Sequence, residues 1–71
     1  MYVYHSPIGD WFICRKANRY YLMFDSECYG VFDSPVGAAD NVYCFATGCY
    51  EWDRLMNSAD PPTDIYEWER C

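Results

Sequence analysis

Basic residues are scarce in this 71-residue chain, where five lysines and arginines stand against eleven aspartates and glutamates. That scarcity argues against direct nucleic-acid binding, which calls for a basic stripe matching the phosphates. Histidine is scarcer still: His5 is alone, so nucleophilic catalysis through a Cys–His or Ser–His pair rests on one residue in a turn near the amino end. Gly9, Gly30, Gly37 and Gly48 each stand singly, which excludes a glycine-rich phosphate loop. No apolar run approaches the ~20 residues of a membrane-spanning helix. No charged-then-apolar leader opens the sequence, so the expected address is the cytoplasm.

Aromatic residues, in contrast, make up 21% of the chain. They suit a single small domain over residues 1–71, because each buried ring removes roughly 150–250 Å² from water. Five cysteines are present (Cys14, Cys28, Cys44, Cys49 and Cys71), an odd number without a secretory leader. They are expected to act as small apolar residues in a reducing compartment. Cys44-x4-Cys49 with Cys28 and His5 lacks the two short-spaced ligand pairs of a structural zinc site, so no metal or cofactor is expected. The carboxylate pairs Glu51/Asp53 and Glu67/Glu69 are the right residue type for acid–base work. A domain of this size has little volume for a cleft that would raise one pKa, and no enzyme is expected.

The chain reads as α+β: an antiparallel meander of three to four strands, one α-helix packed on it, and a short helical carboxy-terminal tail. Met1 to Tyr4 forms a first strand, and Pro7 and Gly9 turn the chain. Asp10 to Lys16 alternates, with Trp11, Ile13 and Arg15 on one face and Phe12, Cys14 and Lys16 on the other. Ala17-Asn18 makes a two-residue turn, Arg19 to Phe24 returns, Asp25-Ser26 turns again, and Glu27 to Phe32 completes the meander. Gly30 marks either a bulge or the close approach of a helix side chain. Ser34 caps a helix, Pro35 opens it, and Ala38, Ala39, Val42, Phe45 and Ala46 make its apolar stripe. Gly48 is the expected stop for a helix over about Pro35 to Ala46. Cys49 to Met56 suggests a short helical turn, Asn57 to Pro62 a loop, and Thr63 or Asp64 the cap of a last turn running to Arg70.

Tyr50-Glu51-Trp52-Asp53-Arg54 recurs sixteen residues later as Tyr66-Glu67-Trp68-Glu69-Arg70. Two copies do not make a repeat array. On one reading Trp52 and Trp68 pin an acidic tail to the sheet. On the other, Tyr50, Trp52, Tyr66 and Trp68 are rigid contact points for a partner, since Trp and Tyr are enriched at interface hot spots.

Charge is unevenly spread. Up to Phe32 the acids and bases balance, whereas Asp33, Asp40, Glu51, Asp53, Asp60, Asp64, Glu67 and Glu69 face only Arg54 and Arg70, so the whole excess of −6 lies in the second half. Such asymmetry concerns partners rather than fold. These eight carboxylates are expected to form one negative face that docks on a basic, nucleic-acid-binding surface of another protein. The expected state is a monomer or weak homodimer. The alternative is a small structural or regulatory protein that dimerises through its helix and aromatic residues, with charge serving only solubility. A third is a zinc- or thiol-based sensor.

Ser34-Pro35, Ala38-Ala39-Asp40, Val42, Thr47-Gly48 and Glu51-Trp52-Asp53, with Asp64-Ile65 and Trp68-Glu69, resemble a pattern of short, uncharacterised bacterial and phage-borne proteins. In those a β-meander precedes an SP-x-x-AAD-x-V helix and an EWD tail. The resemblance implies a fold and brings no catalytic residues. In size, acidity and lack of chemistry the chain is also similar in character to the small DNA-mimic anti-CRISPR proteins of type I systems. That likeness implies an inhibitor whose partner is a CRISPR effector subunit in the cytoplasm of a host cell.

Overall fold

The computed structural model describes residues 1–70; Cys71 lies outside them. Strands β1 (Tyr2–Ser6), β2 (Gly9–Lys16), β3 (Arg19–Phe24) and β4 (Glu27–Phe32) form the meander, followed by α1 (Pro35–Tyr43), α2 (Tyr50–Asp53), a 3-10 turn at Ile65–Glu67 and β5 (Glu69–Arg70). The sheet order is β4-β3-β2-β1-β5, antiparallel throughout. The α+β class follows as expected from period-2 alternation and turn chemistry. At Ala17-Asn18 and Asp25-Ser26 both residues have positive φ, the geometry that matches the twist of paired strands in two-residue hairpins. Gly9, at φ +142, sits where a Cβ would meet the Phe24 ring at 3.1 Å. No helix among the described residues is long and apolar enough to cross a membrane.

One face of the sheet makes the core. Trp11, Ile13, Leu22 and Phe24 on the strands meet Ala38, Ala39 and Val42 of α1, closed by Cys49, Trp52, Ile65 and Trp68. Alanines at 38 and 39 let the helix approach the aromatic sheet closely, so its stripe is satisfied within the chain.

Two local expectations are corrected, and the choice left open at Gly30 is decided for a bulge. The helix stops at Tyr43, and Phe45 (φ 55), not Gly48, is the left-handed residue that closes it. Phe45 N–H donates to the Val42 carbonyl at 3.2 Å and Ala46 N–H to the Asn41 carbonyl at 3.0 Å, the paired closure of a Schellman motif. A non-glycine residue in that conformation costs about 1–2 kcal/mol. The offset is visible: Phe45 stacks on Trp52 with centroids 5.0 Å apart at 15°. Ala46 therefore leaves the stripe and is exposed.

At Gly30 the register slips, with Leu22 opposite Gly30 and Met23 opposite Cys28, so Tyr29 is the bulged residue. The side chain crowding Gly30 is that of Phe32 on the same strand, not one from the helix; a Cβ there would lie 2.8 Å from its ring. Finally, the tail ends in a strand instead of a helical turn through Arg70. Glu69 pairs with Val3 and Arg70 with Tyr2, covering the β1 edge that the meander leaves open.

Trp52 joins these parts. It is fully buried, its ring meets Tyr4, Trp11 and Phe45, and its indole N–H donates to the Val42 carbonyl at 3.0 Å. Trp52→Ala is expected to cost about 3–5 kcal/mol, a large share of the stability of so small a domain. Trp52→Phe, which keeps an apolar ring and removes the indole donor while Phe45 N–H still satisfies the carbonyl, should cost less, about 0.5–1.5 kcal/mol for the lost hydrogen bond. Chemical denaturation followed by far-UV circular dichroism measures both; a Trp52→Phe chain as stable as the parent would show that the indole hydrogen bond contributes nothing, and equal losses would show the same of the ring's packing.

Candidate functional site

The repeated Tyr-Glu-Trp segments share a burial pattern although their backbones differ. In α2, Trp52 is buried while Tyr50 is 76% exposed; at the 3-10 turn, Tyr66 is 89% exposed while Trp68, just after it, is 3% exposed. Glu51 and Glu67 are exposed beside them. Both tryptophans meet the ring of Tyr4, with centroids at 6.0 Å for Trp52 and 5.6 Å for Trp68. The pinning reading therefore holds for the tryptophans. Trp52 and Trp68 are corrected as contact points, because their rings are enclosed and cannot touch a partner in the folded chain. Tyr50 and Tyr66 remain available. Trp68, like Trp11, has a buried indole N–H with no hydrogen-bond partner among the described residues.

The eight carboxylates do not lie on one continuous face. Asp33 follows β4, 3.8 Å from Arg19 at one end of the sheet. Asp53 is a structural anchor: Oδ1 accepts from the Thr47 amide at 3.1 Å and hydroxyl at 2.8 Å, and Oδ2 from the Gly48 amide at 2.9 Å. Gly48, at φ +89, serves this loop between α1 and α2. Asp64 caps the 3-10 turn by accepting from the Tyr66 amide at 3.0 Å, and Glu67 accepts from the Thr63 hydroxyl at 2.8 Å. Glu69 lies on the opposite side of the sheet from the core, against His5. Asp40 on α1 and Asp60 in the following loop are exposed, and Asp60 together with burial holds the Tyr4 phenol above its ordinary range, burial being the larger cause. The helical layer thus displays Asp40, Glu51, Asp60, Asp64 and Glu67, with no lysine or arginine within ion-pair distance of any of them among the described residues.

Two carboxylates outside that set belong with it in space. Asp10, at the start of β2 just after the first turn, and Asp25, in the third turn, line a depression of about 390 Å³ together with Glu51, Phe12 and Phe24. The signal was present in the chain order, since alternate turns of a meander share one end of the sheet. The second turn, at the other end, carries Lys16 and Arg19. The sheet is therefore polar end to end, even though its half of the chain is neutral in sum.

Cys14, Cys28, Cys44 and Cys49 are free thiols, and no group of three or more His, Cys, Asp or Glu among the described residues is disposed to hold a metal ion. Hydrogen bonding to the buried Cys49 thiol, then burial, then Glu27 push the Tyr29 phenol up to about 12. His5 bridges two carboxylates, with Nδ1 2.8 Å from Asp10 and Nε2 2.5 Å from Glu69. Both nitrogens can donate only in the charged ring. The Asp10 hydrogen bond foremost, then that of Glu69, raises the His5 pKa above its ordinary 6.5.

A comparison of the chain with protein-family models, curated proteins and solved structures finds no match in any of the three.

The His5 bridge ties β5 to β1, and its sign with pH is definite. A raised histidine pKa contributes stability that is fully present below the unfolded value near 6.5 and is lost as pH rises through the folded value. His5→Gln should therefore lower the melting temperature at pH 5.5 more than at pH 8.5. A thermal unfolding series of both chains checks this, and a gap that widens toward high pH would contradict it.

Proposed function

We propose that this chain is a non-enzymatic binding protein whose helical layer docks on a basic, nucleic-acid-binding surface of another protein. The supporting observation is the pair of Tyr–Glu displays, Tyr50-Glu51 and Tyr66-Glu67, each fixed by a buried tryptophan one or two residues on. Asp40, Asp60 and Asp64 add charge around them, without lysine or arginine partners among the described residues. Duplex DNA carries one charge per ~1.7 Å of axis, and proteins that bind it present arginine and lysine at matching density. Spaced carboxylates on a rigid body are attracted to such a surface, which raises the encounter rate. Rings held outward on short helical segments supply apolar contact at low entropic cost. A type I CRISPR effector subunit is a partner of this kind. A dimer through α1 is disfavoured, since Ala38, Ala39 and Val42 are enclosed by the chain's own sheet.

The test is displacement. Added to a type I effector complex carrying labelled duplex DNA, the chain should release the DNA at low salt and lose affinity steeply as salt rises. Asp40→Lys, Glu51→Lys and Glu67→Lys together should weaken this at least tenfold while leaving the circular dichroism spectrum intact. Asp53 is left untouched because it holds the Thr47–Gly48 loop. Binding that ignores salt and leaves the DNA in place overturns the reading.

A further inference from the structure

The face of the sheet turned away from the helices carries Phe12 and Cys14 on β2, Tyr21 and Met23 on β3, and Val31 on β4, as strand alternation dictates, while Val3 on β1 is already buried within the chain. An antiparallel sheet with one face in water ordinarily alternates apolar-in and polar-out. Here the outer face is apolar as well: Val31 is 47% exposed, and Cys14, Tyr21, Met23 and Cys28 bound a depression of about 310 Å³. No described element covers it. A continuous apolar patch of this kind marks a contact surface.

Charge at its two ends says what fits. Lys16 and Arg19 stand at one end, with Asp33 beside Arg19; Asp10 and Asp25 stand at the other, with His5 and Glu69 at the β1 side. An apolar centre with opposite charges at its ends is complementary to itself when reversed. We propose that this face is the interface of a homodimer, its occupant the same face of a second copy.

The charges also choose the symmetry. Two sheets packed face to face are related by a two-fold axis lying in the plane between them, and such an interface pairs residue i with j and j with i. An axis along the strands would place Lys16 over Lys16. An axis across the strands at the level of Ile13 places Lys16 opposite Asp10 of the second copy, and Phe12 opposite its Cys14. The second arrangement is the attractive one. Four strands ~4.8 Å apart and six residues at ~3.4 Å give an area of roughly 400 Å² per copy. That is about half a standard interface, so the dimer is weak and concentration-dependent. It uses the side of the sheet opposite the helical layer, and stands or falls independently of the docking reading.

Sedimentation equilibrium of the full chain in reductant tests it. The mass should rise from the 8.4 kDa of one chain toward that of two between micromolar and millimolar protein. Lys16→Glu alone and Asp10→Lys alone should each weaken association roughly tenfold, because each change acts twice across the two-fold axis. The two together in one chain should restore it, since the exchanged charges again meet with opposite sign across the axis. Tyr21→Lys should abolish it, with circular dichroism confirming that the sheet remains. A chain that stays monomeric throughout overturns the proposal, as does a dimer indifferent to the three single substitutions.

Discussion

Tyr4 sits between Trp52 and Trp68, and nearly everything outside the sheet takes its position from that contact. A four-stranded meander with one helix leaves the β1 side of its inner face bare, since α1 packs against β2, β3 and β4. The residues after α1 must fill that space with few side chains and almost no regular structure of their own. Two tryptophans do so, one from a four-residue helix and one from beside a 3-10 turn. Aromatic pairs in tilted or edge-to-face geometry add about 0.5–1.5 kcal/mol beyond their buried area. The loop from Arg54 to Asp64 is thereby held at both ends.

This explains the sixteen-residue echo without invoking a repeat architecture. Each copy is a short turn whose tryptophan enters the core and whose tyrosine and glutamate are left outside. The same burial that stabilises the domain determines which side chains remain for contact. Because the outward groups ride on anchored turns, little conformational freedom would be lost on the proposed binding, a preorganisation that favours affinity from a small surface.

The meander, the helix start and the hairpin turns were legible because they rest on local chemistry: alternation, Ser34-Pro35, and residues tolerant of positive φ. What was not legible depended on distant partners. Phe45 adopts a conformation its own preferences oppose, because Trp52 offers it a stacking surface. Glu69-Arg70 becomes a strand because β1 has an open edge, and nothing in that dipeptide announces it. For the site, sequence marked Tyr50 and Tyr66, which the structure leaves exposed, yet it grouped all eight acids by position in the chain. Asp53, a loop anchor, and Glu69, across the sheet, show that proximity in sequence does not make a common face. Residue type alone also left open whether Trp52 and Trp68 point inward.

Charge placement follows from connectivity as much as from composition. In any meander the odd turns share one end of the sheet and the even turn lies at the other. Acids at the first and third turns with bases at the second therefore build a charge separation along the strands while the segment remains neutral. A chain sorted this way does not meet a charged surface at random. In the proposed docking, the acidic end, where Asp10 and Asp25 join Glu51, would lead toward a basic partner, with Lys16 and Arg19 at the rear. Orientation before contact raises the productive fraction of encounters without adding any contact energy. The same separation, on a face with an apolar centre, makes a second copy in reversed orientation the best electrostatic complement on that side. Under the two proposals, one arrangement of turn charges would serve both contacts, the helical layer meeting a basic surface and the open sheet meeting its own kind.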